Sequence, residues 1–267
     1  METGTEKKNR HSLLHGLAAG VILCCSILLI LTLTAASCEQ EDSLPANAQQ
    51  TDTKKETKKT ATVADANKDG ILDVPYLSQA GILPTGCELV SATMILQFYG
   101  YDLDAQTFAK TYVKMASLEL DSKGLLVGPS PNDAFIGSPW DGESFGCYAP
   151  VVVKAMNKVT GNDYTAKNTT GTSLDKLVSR YIKKGTPALV WVSIGMSPTY
   201  STHSWQLKDS GELFTWIANE HCMVLVGSDQ KGYYLMDPYG DNGLVYYEKS
   251  VVQQRYEELG KQSVVLV

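Results

Sequence analysis

Beyond residue 70 the 267-residue chain has no Lys/Arg cluster, and its formal charge is −6. A nucleic-acid binder shows a basic patch or stripe, so that class is excluded. His203 and His221 stand without the CxxC or HxxxH spacing that marks a zinc site, and no zinc is expected. No internal repeat is present. Residues 39 to 68 are poor in large apolar side chains and lack helical or strand periodicity, which excludes them from a packed core and makes them a solvated linker. Cysteine is scarce in the body. Only Cys87, Cys147 and Cys222 lie there, and an odd number leaves at least one thiol outside any internal disulfide.

What is present begins with an uncharged apolar run at residues 16 to 37. It exceeds the roughly 20 residues needed to cross a bilayer and the 7 to 15 of a cleaved signal core. Lys7, Lys8 and Arg10 precede it and Glu39, Glu41 and Asp42 follow, a bias that keeps residues 1 to 15 in the cytoplasm and puts the body outside. Ala35-Ala36-Ser37-Cys38 is similar to the lipobox of bacterial lipoproteins, with Ala35 where that motif usually has Leu. Three fates therefore stand open for this segment: a retained anchor, lipidation at Cys38, or simple cleavage. The expected organisation is a cytoplasmic stretch 1–15, the membrane or signal segment 16–37, a linker 38–69 and one catalytic domain 70–267.

In the body, Ile71 to Leu77 reads as a short extended segment. Thr85 and Glu88 fit a capping box ahead of a helix that is apolar on nearly every face and stops at Gly100; such a helix is buried. Another helix starts at Asp104, and a Gly/Pro/Ser-rich loop runs from about 121 to 146. Pro150 opens a helix to about Val159, and a third pattern runs from Ser173 to Gly185. Residues 187–193 read as a buried strand, and Trp205 and Trp216 fall in a loop. Residues 221–227 and 233–237 form two strands about a five-residue turn, followed by a helix at 248–259 and a strand at 262–267. Helices first and strands late predict an α+β fold with an antiparallel sheet.

Cys87 falls in the first turn of the first helix, where free N–H groups and the macrodipole favour an anion and lower a thiol's pKa. That placement suits a nucleophile, although a cysteine is as often plain packing. The 228–232 turn folds Asp237 back beside His221, the arrangement by which a carboxylate holds an imidazole. A core histidine and a simple Asp-Pro turn are the competing readings. Gln79, eight residues before Cys87, offers an amide donor for an oxyanion beside the Cys87 N–H.

Leu72-Asp73-Val74-Pro75-Tyr76-Leu77-Ser78-Gln79, Pro84-Thr85-Gly86-Cys87-Glu88, Asn132 through Pro139, Glu220-His221 and Asp237-Pro238 together resemble the peptidase C39-like family. The resemblance spans about residues 70 to 267. It implies a papain-like fold, the first helix carrying the nucleophile against an antiparallel sheet carrying the other groups, with Cys87, His221 and Asp237 as the triad and Gln79 at the oxyanion hole. Bacteriocin-leader peptidases of the C39 group are joined to ABC transporters and act at the cytoplasmic side. This chain shows neither feature, so leader processing is not expected. Cys147 and Cys222 stand where apolar residues are usual and are packing or a disulfide.

Asp65, Asn67, Asp69 and Gly70 match the opening of a calcium loop, but Tyr76 occupies the place of its bidentate Glu, so no metal or other cofactor is expected. Trp205 and Trp216 shield the triad, line a cleft, or pack in the core. The leading expectation is hydrolysis of peptide bonds in a peptide or protein outside the cell, through a Cys87 thioester, with the N-terminal segment holding the membrane. A cell-wall peptide amidase and a catalytically silent surface-binding module on the same fold are the alternatives.

Overall fold

Residues 70–267 are described by the structure, a computed structural model, and the segments at 1–15 and 16–37 and the linker 38–69 lie outside them. Among the described residues no helix is long and apolar enough to cross a membrane. The elements run α1 (Cys87–Phe98), α2 (Ala105–Tyr112), β1 (Met115–Ala116), β2 (Glu119–Leu120), β3 (Leu126–Gly128), β4 (Phe135–Ile136), α3 (Ala149–Thr160), β5 (Ala166–Asn168), α4 (Leu174–Arg180), β6 (Ala188–Ser193), β7 (Tyr200–Leu207), β8 (Leu213–Ala218), β9 (Glu220–Ser228), β10 (Gly232–Asp237), β11 (Gly243–Glu248), α5 (Lys249–Glu258) and β12 (Ser263–Leu266).

A six-stranded sheet in the order β11-β10-β9-β6-β12-β5 is antiparallel at every junction, and α1 packs on β9 and β6. The α+β reading therefore holds, with the Cys-bearing helix on the antiparallel sheet. Ten of the twelve residues of α1 are buried, and Ser91 Oγ donates to the Cys222 carbonyl at 2.9 Å, tying helix to sheet. Burying helix and sheet against each other is what the apolar runs LVSATMIL and HCMVLVG are for.

A smaller sheet, β2-β3-β7-β8, was not foreseen: Trp205 and Trp216 lie on its hairpin rather than in a loop. The reason is visible along β7, where YSTHSWQL is exposed almost throughout and only Trp205 is buried, so the run carries no apolar alternation. Short strands β3 and β4 likewise interrupt the expected 121–146 loop. At two or three residues each they show no period to read.

The capping box at α1 does not form. Gly86 is the N-cap, without a side-chain bond, and Thr85 Oγ1 donates instead to the Asp141 carbonyl at 2.8 Å. A Cβ on Gly86 would stand 2.8 Å from Leu83 Cβ and 3.2 Å from Pro139 Cβ, so the chain can enter the helix this tightly only at a glycine. Asp104, by contrast, caps α2 as expected, accepting from the Thr107 N–H at 2.8 Å.

Candidate active site

Cys87, as the first residue of α1, and His221, as the second residue of β9, line one cleft of about 200 Å³ together with Gln79, Phe145, Trp216, Glu220 and Tyr239. The chain reaches β9 from β8 through Asn219, whose φ of 62° is left-handed, a conformation that suits asparagine among non-glycine residues. Its Nδ2 donates to the Pro198 carbonyl at 2.9 Å and its carbonyl accepts the Ile194 N–H at 3.0 Å, which fixes where Glu220 and His221 begin.

Asp237 reaches His221 because β9 carries a bulge. Tyr234 pairs with Gly227 but Leu235 pairs with Leu225, leaving Val226 as the extra residue. Continuing the first register would set Asp237 opposite Val224, on the face away from His221. The bulge moves it to the level of Met223, and side chains two apart on a strand share a face. The Val226 carbonyl, freed from the ladder, accepts the Leu72 N–H at 2.9 Å. His221 Nε2 and Asp237 Oδ1 are then 2.6 Å apart, both side chains buried.

Asp237 is held on every side. The Tyr239 N–H donates to Oδ1 and Asn242 Nδ2 donates to Oδ2, each at 2.9 Å. Burial pushes its carboxyl up, yet the hydrogen bond and charge of His221 and the two further donors outweigh that and leave it below the usual value. Asn242 is a site residue that sequence reading missed. It sits in an exposed turn, and only the fold shows its amide bonded to the Asp237 carboxylate.

Gln79 lies in the cleft, its backbone N–H donating to the Pro238 carbonyl at 2.8 Å, so its segment is tied to the Asp237 turn. Nε2 donates to the Pro84 carbonyl at 2.8 Å, committing one of its two N–H groups inside the loop rather than to the open cleft. Oε1 is buried without a partner among the described residues.

The surroundings of Cys87 depart most from expectation. Its Sγ donates to Glu88 Oε2 at 3.5 Å, and not to the imidazole. Burial pushes the thiol well above its ordinary value, and the charges of Glu88, Glu220 and Cys222 push the same way, against one lowering hydrogen bond to the Cys222 backbone. The lowering expected from the helix terminus is thus overturned, because desolvation of the charged form outweighs the terminal dipole. Glu88 does not cap the helix as its spacing from Thr85 predicts, and is fully buried with Oε1 accepting the Cys147 N–H at 2.6 Å. Burial pushes its carboxyl up to about 7. Gly146 leaves room for it, since a Cβ there would meet Glu88 Oε1 at 2.4 Å. Glu220 is likewise raised, by burial and then by the Glu88 charge.

Cys147 and Cys222 are free and buried, which removes the disulfide alternative and leaves packing. The Trp191 Nε1–H donates to the Cys147 carbonyl at 3.1 Å, buttressing that loop from β6. Of the two tryptophans, Trp216 lines the cleft and stacks on Tyr148 at 5.5 Å, whereas Trp205 is core, its Nε1–H donating to the Pro129 carbonyl at 3.0 Å. Phe145 bridges the two rings.

The chain is similar to several known proteins. The family described as Peptidase_C39 like matches residues 71–264. A curated relative, the uncharacterized protein YvpB of Bacillus subtilis (strain 168), is 28% identical over 213 residues, covering 80% of this chain and 79% of that one. A solved chain from Bacillus anthracis described as a C39-like peptidase is 25% identical with a TM-score of 0.65, covering 74% of this chain and 96% of that one.

Proposed function

The chain belongs to the peptidase C39-like family, and from that premise we propose that it is an exported, membrane-tethered cysteine peptidase in which Cys87 attacks, His221 moves the proton and Asp237 orients the imidazole. One observation carries the reading: the buried His221–Asp237 pair at 2.6 Å opens on the same cleft as the thiol at the start of α1. With Nε2 held by Asp237, the other ring nitrogen of His221 is the one left for the thiol. The tether rests on residues 16–37 and their flanking charges.

In the resting arrangement Cys87 is a neutral thiol bonded to Glu88. Catalysis begins when Sγ turns about its Cα–Cβ bond from Glu88 toward the imidazole and gives up its proton there. The thiolate adds to the scissile carbonyl carbon, and the oxyanion is held by the Cys87 N–H and by the second N–H of Gln79. Collapse breaks the C–N bond, His221 returns the proton to the departing amine, and water then hydrolyses the thioester.

The test is steady-state turnover of denatured protein substrates and of purified murein by the chain and its variants, with folding followed by thermal melting. Cys87→Ala is expected to abolish turnover and His221→Ala to come close to it. Asp237→Asn keeps an acceptor for the ring and is expected to lose about ten- to a hundredfold, or roughly 1.4 to 2.8 kcal/mol. Retained turnover in Cys87→Ala overturns the mechanism, and cleavage of murein alone moves the substrate to cell-wall peptides.

A further inference from the structure

Beside the His221–Asp237 pair lies a second cluster that the hydrolytic mechanism leaves unexplained. A thiol and two carboxyls, from Cys87, Glu88 and Glu220, present ligand atoms all within 4.8 Å of one another. Glu220 Oε1 is buried and without a hydrogen-bond partner among the described residues. Among those residues, too, neither Glu88 nor Glu220 takes part in an ion pair. Acidic groups buried together without a counter-charge are costly, and a proton or a metal cation must offset them.

We propose that Cys87, Glu88 and Glu220 form a Zn²⁺ site whose filling silences the nucleophile. The donor set chooses the metal, because one thiolate and two carboxylates suit zinc, whereas magnesium and calcium take oxygen alone. The geometry is close to what zinc requires. Zn–S near 2.3 Å and Zn–O near 2.0 Å set at a tetrahedral angle separate sulfur from oxygen by about 3.5 Å. Cys87 Sγ and Glu88 Oε2 are 3.5 Å apart. Glu88 is also prepared from behind, since its Oε1 accepts the Cys147 N–H at 2.6 Å and so holds Oε2 toward the sulfur. Glu220 completes the set, its carboxyl moving inward from within 4.8 Å of the other two ligand atoms to the separation that tetrahedral zinc requires.

Cys87 and Glu220 both line the cleft, so the ion enters from solvent and a water takes the fourth position. On binding, the thiol proton leaves to bulk water and the sulfur lone pair that would attack a carbonyl is committed to zinc. That inhibitory consequence rests on the reading of Cys87 as nucleophile; the metal site itself does not.

The experiment uses the full-length chain, purified in detergent and stripped with chelator, and titrated with Zn²⁺ against a chromophoric competitor and with Co²⁺ in the spectrometer. One equivalent is expected to bind, with a thiolate-to-cobalt charge-transfer band. Cys87→Ser, which leaves Cys24, Cys25 and Cys38 in place, is expected to abolish the band, and Glu220→Gln to weaken binding about tenfold or more. Cys147→Ser and His221→Ala are expected to bind as the parent does. Because Glu88 also supports the Cys147 loop, the decisive variant is Glu220→Gln, with its melting curve recorded alongside. No binding, or binding lost in His221→Ala and kept in Glu220→Gln, overturns the proposal, the second result placing the metal on a Cys–His pair. Selective alkylation of Cys87 in a chain that binds no zinc would leave the peptidase reading standing. Zinc binding alongside full hydrolysis by Cys87→Ala would sink that reading and spare the site.

Discussion

Asp237 and Glu88 are both buried carboxyls, each bonded to a side chain that lines the cleft, His221 for the one and Cys87 for the other, and the fold treats them in opposite ways. Asp237 receives hydrogen bonds from an imidazole, a backbone N–H and an amide, and stays below the usual carboxylate range. Glu88 receives one backbone N–H and a weak thiol donor, and burial pushes it up to about 7. Burial alone would raise either group. The number and charge of the donors decide the sign. One side of the cleft is therefore built to keep a negative charge beside His221, and the other tends toward neutrality beside Cys87.

The contrast breaks most severely at Asp237→Ala. That change strands the buried His221, takes the acceptor from Asn242, and is expected to cost about 3 kcal/mol in a denaturant titration, besides turnover. Glu88→Ala, which orphans the Cys147 N–H and the weak thiol donor of Cys87, is expected to cost about 1 to 3 kcal/mol by the same measurement. A loss at Glu88 larger than at Asp237 would reverse the comparison.

The two groups also predict opposite pH dependences. Glu88 has a folded value raised from 4.5 to about 7, so its contribution is fully present below about pH 4.5 and is lost as pH rises toward 7. Asp237 has a folded value below 3.8, so its contribution is present above that and is lost as pH falls through the folded value. Unfolding free energy of the chelator-treated chain, followed from pH 3 to 8, is expected to flatten between pH 4.5 and 7 in Glu88→Gln, and to keep its acid limb. An unchanged slope would show that Glu88 is not the group titrating there. The smallest effect is expected for Asn242→Ala, about 1 kcal/mol, since Asp237 keeps its other two donors.

Much of this is legible in the sequence. The apolar run of α1 and the two strands about the 228–232 turn define helix and sheet, Cys87, Glu220 and His221 line the cleft, and Asp237 stands behind His221. The β7–β8 hairpin was not legible, because an exposed strand with a single buried tryptophan carries no period. Nor was the role of Glu88. Local sequence offers it a cap, while the partner it takes, Cys147, is 59 residues away and reaches it only because Gly146 lacks a side chain. The Val226 bulge that sets Asp237 on the face of His221 is equally hidden, since the register of a pair of strands depends on its neighbours.

The central claim is that Cys87, alone of the three body cysteines, acts as a nucleophile through His221. Labelling of the folded, chelator-treated chain with a peptide-based electrophile, mapped by mass spectrometry, tests it directly. The account predicts modification at Cys87 and not at Cys147 or Cys222, falling by at least about tenfold in a folded His221→Ala variant. Equal labelling of Cys87 with and without His221, or labelling of Cys147 or Cys222 in its place, would contradict it.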